Sequence, residues 1–155
     1  MNADASLDQM RSLARQALLD MKGERFDEAM VLLEEVERIA RVLDNKHGIV
    51  LALGTRSRIL RKRKQFDEAM GLLEQVEGIA RDIDAKNPDI DAKGDLALAL
   101  MERGHILTDL GEFDQAIALF EKAEPVYREL GNSTKADEAQ RVAQLVAEIK
   151  RERGY

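Results

Sequence analysis

One stretch of the chain occurs three times, and this repetition limits the possible folds more than any other feature. FDEAMVLLEEVERIAR, from Phe26 to Arg41, returns as FDEAMGLLEQVEGIAR, from Phe66 to Arg81, and more loosely as FDQAIALFEKAEPVYR, from Phe113 to Arg128. The first two copies differ at only three positions. Such close repetition indicates that one structural unit is used several times, as in proteins built from stacked repeats.

The composition indicates that the repeated unit is helical. Aromatic residues make up only 4% of the 155 residues and charged residues 35%, while the hydrophobic share is 45%. Good helix formers therefore dominate, and the aromatic and β-branched residues that favour strands are scarce. The composition predicts an all-α fold.

Several classes of protein are disfavoured by the same numbers. The chain has no cysteine, which excludes disulfides, thiolate catalysis and cysteine-based zinc sites, and fits a reducing compartment. The start of the sequence is polar and acidic, and no apolar run is long enough to span a membrane. A net charge of −6 argues against nucleic-acid binding. We therefore expect a cytoplasmic protein without a membrane or nucleic-acid partner.

The spacing of apolar residues predicts amphipathic helices in antiparallel pairs. In the first helix, which we expect to end at Gly23, Leu18 is predicted to face inward with Ala14 and Ala17. A long loop, DAKNPDIDAKGD, is predicted before the third pair, because the third copy of the repeated stretch starts seven residues later than even spacing requires. The predicted boundaries within a single domain, 1–155, are about 6–44, 46–84 and 91–130 for the pairs and about 133–152 for a last, capping helix.

Small residues at a fixed spacing connect the chain to a known family. Gly104 precedes Ala116 by twelve positions, and Ser57 precedes Ala69 by the same number. A Gly-Glu-Phe turn opens the last copy at 111–113. In these features the chain resembles the tetratricopeptide repeat family, in its variety with repeats of about forty residues.

The resemblance implies a right-handed α-solenoid of three helix pairs plus a C-terminal capping helix. It also implies a non-enzymatic module that binds a peptide segment of a partner protein in a concave groove formed by the first helices. The family's best-known clamp for a terminal carboxylate is not expected here. The comparable positions hold Gly54, Thr55, Leu98 and Glu102.

A dense run of cations lies at the end of the first helix of the second pair, and two interpretations stay open. Cations in the last helical turn interact favourably with the carbonyl end of the helix, so the run is explained as a solvated helix end. Alternatively, Arg58, Arg61 and Lys62 form a stripe that favours acidic side chains of a partner. The six cations are Arg56, Arg58, Arg61, Lys62, Arg63 and Lys64.

The predicted groove continues on the third pair and the capping helix. Its charges are mixed, because the third pair contributes Glu102 and Asp109, which Arg58 and Lys62 could partly neutralise. The predicted groove residues are Arg58, Arg61, Lys62, Met101, Glu102, His105, Asp109, Arg141 and Gln144.

The acidic loop at 89–95 resembles a calcium loop only superficially. Lys93 stands where a third ligand is needed, and Leu100 stands where the closing bidentate glutamate is required. We expect Asp91 or Asp95 to cap the following helix instead.

No arrangement of residues predicts catalysis. His105 lies between Glu102 and Asp109 on one helix, but no nucleophile accompanies them. The sequence therefore predicts no enzyme, no catalytic residue, no metal and no cofactor.

A structural, self-associating protein is the alternative function. The apolar first helix, or the face that carries Gly71 and Gly78, would then form a homodimer or larger oligomer. Pro125 is expected to kink the last repeat helix. The close similarity of the first two repeats also leaves open an engineered or consensus-like origin without a natural ligand.

Overall fold

The protein is all-helical, as the composition predicts. A computed structural model describes residues 2–154, and within this range the chain forms seven α-helices and no strand. The helices are α1 (Ala3–Lys22), α2 (Phe26–Val42), α3 (Lys46–Lys62), α4 (Phe66–Lys86), α5 (Ile90–Asp109), α6 (Phe113–Glu129) and α7 (Ser133–Glu152). The three copies of the repeated stretch are α2, α4 and α6, which we call the second helices. The first helices are α1, α3 and α5, and α7 follows the last pair.

All connections between these helices have the same length. Each of the six is three residues long, including residues 87–89 between α4 and α5. The prediction of a long loop is therefore wrong. The additional seven residues extend the helices instead, because α4 is four residues longer than α2 and α5 is three residues longer than α3. Continuing a helix satisfies the backbone hydrogen bonds that a loop would leave to water.

One residue of most turns has a left-handed backbone. Glu24 has a φ of 62° and Lys64 a φ of 61°, and both lie two residues before the phenylalanine that starts a second helix. Gly111, with a φ of 79°, occupies the same position in the third pair. Gly23 itself has a φ of −84°. It is the C-cap of α1 and not the turn glycine, so the register of the first pair follows that of Gly111.

Side chains cap the first helices. Asn2, Asn45 and Asn132 each accept a hydrogen bond from a backbone N–H three residues later, at α1, α3 and α7. Asp89 does the same for α5, where its carboxylate accepts from the N–H of Ala92 at 3.0 Å. The prediction that a later aspartate caps this helix is wrong, because α5 begins earlier than the pattern suggested.

The helices form two compact units, Met1–Gln75 and Val76–Tyr155, with the boundary inside α4. In the first unit α2 packs against both α1 and α3. Its core contains Ala17, Ala29, Leu33 and Ile59, each fully buried. In the second unit α6 packs against both α5 and α7. The single-domain assignment stays a prediction.

The inward face of α1 differs from the predicted one. Ala14 and Ala17 are buried as expected, but Leu18 is 41% exposed and Asp20 is buried. Asp20 occupies the position of Leu60 in the second pair and of Leu107 in the third, both of which are buried. Asp20 therefore occupies the core position of α1, and Leu18 lies outside the core.

The close helix crossing predicted for the third pair is present in the second unit. Gly104 and Ala116 are both buried, and a Cβ atom added at Gly104 would lie 2.6 Å from the ring of Phe120. Only hydrogen fits at Gly104, so the two helices approach closely here. In the first unit, Ser57 and Ala69 are likewise buried, and the Ser57 hydroxyl donates to the carbonyl of Gly54.

The capping helix α7 buries one narrow face of small residues against α6. The residues of this face are Ala136, Ala139, Ala143 and Val146. Pro125 lies within α6 and is exposed.

Candidate functional site

The cations of the basic run contact α2 within the first unit. The guanidinium of Arg56 donates a hydrogen bond to Glu37 at 2.7 Å. Arg63 forms an ion pair with Asp27, and the ammonium of Lys62 lies 5.7 Å from the centre of the Phe26 ring. These contacts connect the C-terminal half of α3 to the preceding second helix.

The second unit repeats the same contacts. Arg103 on α5 pairs with Glu77 on α4, one repeat after Arg56 and Glu37. Lys150 on α7 pairs with Asp114, the counterpart of Asp27. The Arg153 guanidinium lies 5.5 Å from the Phe113 ring centre. The recurrence indicates that these cations hold helices together, and it favours a structural role for Arg56, Lys62 and Arg63.

Of the three remaining cations of the basic run, Lys64 lies in the turn after α3, whereas Arg58 and Arg61 lie on α3. Both side chains are half-buried. Arg58 makes no hydrogen bond or ion pair with any of residues 2–154, whereas Arg61 has one within that range. Arg58 is therefore the cation of this run with the strongest case for an external role.

The other predicted groove residues all belong to the second unit. On α5, Met101 is only 4% exposed, so its side chain offers almost no surface. Glu102 and His105 are half-buried, and Asp109 is exposed. The His105 ring meets the Phe120 ring edge-on, with their centroids 5.1 Å apart. The imidazole therefore packs on the core of the pair.

Two exposed leucines in the second unit were not among the predicted groove residues. Leu98 on α5 is 38% exposed, and Leu145 on α7 is 53% exposed. Leu98 lies one turn before Glu102, and Leu145 occupies on α7 the position that His105 occupies on α5. Counting the repeat register onto α7 could have found Leu145, because it falls on the groove stripe of the repeat.

Arg141 and Gln144 on α7 are both exposed. Gln144 occupies the register of Gly104 and Ser57, which pack against the second helix of their own pairs. No second helix follows α7 within residues 2–154, so this side of α7 is open to solvent. Arg141 and Gln144 are three residues apart on α7, so they are neighbours on its exposed surface.

A depression in the surface of the second unit is lined by four residues of α7. Thr134, Asp137, Glu138 and Arg141 are spaced so that they share one helix face. Asp137 forms an ion pair with Arg128 at 3.1 Å, and Glu138 lies 3.4 Å from the ammonium of Lys135. The depression therefore combines two carboxylates with one guanidinium.

Tyr127 on α6 is one of the buried residues of the second unit. It is 5% exposed, and burial raises the pKa of its hydroxyl to about 12, with further contributions from the negative charges of Glu138 and Glu102. Ionisation of the hydroxyl is therefore disfavoured first by burial and then by the negative charges of one carboxylate of α5 and one of α7. Tyrosine was not considered as a site residue in the sequence, because its environment depends on three helices.

Other chemistry finds no support in the described part of the chain. Within residues 2–154, no group of three histidine, cysteine, aspartate or glutamate side chains is placed to hold a metal ion. None of the helices in this range is both long and apolar enough to cross a membrane.

A family model for the tetratricopeptide repeat matches residues 97–124, which cover most of α5 and α6. The matched segment includes the crossing of Gly104 and Ala116. A comparison of the chain with curated proteins finds no significant match.

Proposed function

We propose that the chain binds a peptide segment of a partner protein, because a model for the tetratricopeptide repeat matches residues 97–124. Repeats of this family generally serve as non-enzymatic scaffolds for protein–protein interaction. The observation that carries the proposal for this chain is the exposure of Leu98 and Leu145 beside charged side chains in the second unit.

The binding surface that we propose lies on α5 and α7. Leu98 and Leu145 supply apolar contact area, and Glu102, His105 and Arg141 supply polar partners close to them. Peptide grooves commonly combine a few apolar contacts with polar groups that determine orientation. In the first unit, we propose Arg58 as a contact for acidic side chains of the partner.

Binding through these leucines is tested by pull-down from a cell extract with the full chain. Leu145→Asp is expected to remove the captured partners, because a carboxylate replaces an apolar contact. Val31→Asp is the matched control, since Val31 is 67% exposed on α2 of the first unit and is not one of the residues of the proposed surface. Equal capture by Leu145→Asp and wild type would contradict the proposal.

The role of Arg58 is tested by reversal of its charge. Arg58→Glu is expected to reduce capture of acidic partners, whereas Lys64→Glu, in the exposed turn that follows α3, should leave it unchanged. Both variants make the same change in charge. Loss of capture in both, or in neither, would remove Arg58 from the binding surface.

Self-association is a second candidate, favoured by an exposed apolar edge on α1. Leu18 and Leu19 are 41% and 59% exposed. A second copy of the chain that covers them would form a homodimer. Light scattering over a range of micromolar concentrations tests this, and a monomer at every concentration would exclude it.

A further inference from the structure

The first helices of the first unit, α1 and α3, carry a stripe of cations and leucines. It occupies the same repeat positions as Leu98, Glu102, His105 and Asp109 on α5. We call it the basic stripe, and its residues are Arg11, Arg15, Leu18 and Lys22 on α1 and Leu51, Thr55, Arg58 and Lys62 on α3. None of these residues is acidic. The two helices also contact each other within this unit.

Much of the basic stripe is open to solvent. Arg11, Arg15 and Lys22 are exposed on α1, and Leu18 is 41% exposed beside them. On α3, Leu51 is 37% exposed. A partner segment can therefore meet charged and apolar side chains on the same helices.

The cations of the basic stripe differ from other cations of the first unit in their contacts. Elsewhere in this unit, five arginines form ion pairs with carboxylates: Arg25, Arg38, Arg41, Arg56 and Arg63. Four side chains of the stripe have no ion pair or hydrogen bond with any of residues 2–154: Arg11, Arg15, Lys22 and Arg58. One reason is that α3 contains no acidic residue, and another is that Asp20 of α1 already accepts from Arg25.

We propose that the basic stripe binds an acidic segment of the partner, whose carboxylates pair with Arg11, Arg15 and Arg58 while an apolar side chain covers Leu18. The inference rests on the proposed function, since it names the class of peptide that the first unit recognises. Guanidinium groups bind carboxylates through two parallel hydrogen bonds. Arg11 and Arg15 lie one helical turn apart, so they suit a segment with two acidic residues close together.

A peptide suits this stripe better than a nucleic acid does. None of the stripe residues is aromatic, whereas proteins that bind single strands stack the bases on aromatic side chains. The net charge of −6 also opposes the approach of a phosphate backbone. The exposed leucines match a segment that alternates acidic and apolar residues.

Selection from a library of random peptides displayed on phage tests the inference with the full chain as bait. Selected peptides should be enriched in aspartate or glutamate together with a large apolar residue. A synthetic selected peptide should bind Arg15→Glu roughly ten-fold more weakly than wild type, whereas its affinity for Lys64→Glu should change less than about two-fold. Lys64 is the matched control, because it is exposed and has no ion pair with residues 2–154 but lies in the turn after α3.

Two neighbouring leucines of α1 provide a second comparison without a change in charge. Leu18→Ala should weaken binding of the same peptide a few-fold, because it removes apolar contact area. Leu19→Ala should leave binding unchanged, since Leu19 is exposed on α1 but lies outside the basic stripe. Equal losses in the two variants would contradict the proposed contact with Leu18.

The outcomes separate the inference from the proposed function. If peptides are selected without enrichment of acidic residues, or if Arg15→Glu binds as tightly as Lys64→Glu, the inference is wrong and peptide binding stands. If no peptide is selected, the proposed function is wrong and the inference falls with it. Thermal unfolding shows whether each variant keeps its fold, and Arg11→Glu replaces Arg15→Glu if the latter does not.

Other occupants of the basic stripe give different results with the same variant. A dimer that Arg15→Glu dissociates, measured by light scattering, would make a second copy of the chain the occupant. Binding of a single-stranded DNA oligonucleotide that Arg15→Glu abolishes would make the occupant a nucleic acid. Either result overturns the inference.

Discussion

Arg103 on α5 donates a hydrogen bond to the buried carboxylate of Glu77 on α4, and Arg56 makes the same contact with Glu37 one repeat earlier. The last of the second helices, α6, carries Glu124 at the corresponding position, but α7 has Ala143 where α3 and α5 have the arginine. Glu124 pairs with Arg128 of its own helix instead. The contact is therefore a feature of the repeat that α7 does not continue.

Removal of this arginine should be costly. The Glu77 side chain is only 8% exposed, so Arg103→Ala leaves a buried carboxylate without its ion-pair partner. We expect a loss of about 2–4 kcal/mol in the free energy of unfolding, measured with urea. Arg38→Ala, which removes an exposed pair with Glu35, should change the urea midpoint little. Similar urea midpoints for both variants would show that the burial of Glu77 does not make stability more dependent on Arg103.

In the first unit, Asp20 also has an arginine partner that should contribute to stability. Its buried carboxylate accepts hydrogen bonds from Arg25 at 3.0 Å and from Gln16 at 2.9 Å. Arg25→Ala should destabilise the chain by about 1–3 kcal/mol. Asp20→Leu combined with Arg25→Ala should recover much of this loss, since Leu60 occupies the same position in the next pair. A double variant that is less stable than Arg25→Ala would contradict this explanation.

The turns with a left-handed residue offer a gain in stability. Lys64 has a φ of 61°. Lys64→Gly should raise the free energy of unfolding by about 0.5–1 kcal/mol, because glycine adopts this conformation without steric cost. Gly111→Ala makes the reverse change at the equivalent turn and should lower the midpoint of thermal unfolding. The prediction fails if Lys64→Gly lowers the midpoint as well.

Two glycines of the second unit should respond in opposite directions to the same substitution. Gly104→Ala brings a Cβ atom within 2.6 Å of Phe120 and should cost about 1–3 kcal/mol. An added Cβ at Gly78, in α4, meets nothing within 4 Å, so Gly78→Ala should gain about 0.5–1 kcal/mol. Denaturant unfolding measures both. A loss at Gly78, or a change in oligomeric state there, would favour the self-associating face over a tolerated surface glycine.

Tyr127 predicts a loss of stability at alkaline pH. Its pKa in the folded state, about 12, lies above the usual value of 10, so the folded protein holds this proton more tightly than the unfolded chain. The contribution of Tyr127 is therefore complete below pH 10 and decreases as pH rises towards 12, by about 1.4 kcal/mol per pH unit. Tyr127→Phe should lose less stability than wild type over this interval.

Ultraviolet absorbance of the tyrosinate checks the same value directly. The chain has two tyrosines, Tyr127 and Tyr155, so the titration step that Tyr127→Phe removes belongs to Tyr127. A step near pH 10 would show that burial does not protect the hydroxyl.

Much of the fold follows from local patterns in the sequence. The three copies of the repeated stretch predict the second helices, and the small residues Gly104 and Ser57 predict where the helices of a pair cross closely. Both are local or periodic features, and the structure confirms them. The spacing of the repeated stretches predicts a long loop between the second and third pairs, but the seven additional residues lengthen α4 and α5 instead.

The sequence by itself determined the helical class, the pairing of helices and the resemblance to a repeat family, because helix period and residue size are properties of neighbouring residues. Only the tertiary structure decided which charged side chains contact other residues of the chain. Lys62 contacts Phe26 and Arg56 contacts Glu37, so these cations stabilise the first unit, while Arg58 has no partner among residues 2–154. Likewise, the charges of Glu102 and Glu138 act on the pKa of Tyr127 only because the helices pack. The energy of such contacts depends on distance and burial, which residues far apart in the chain acquire only when the helices pack.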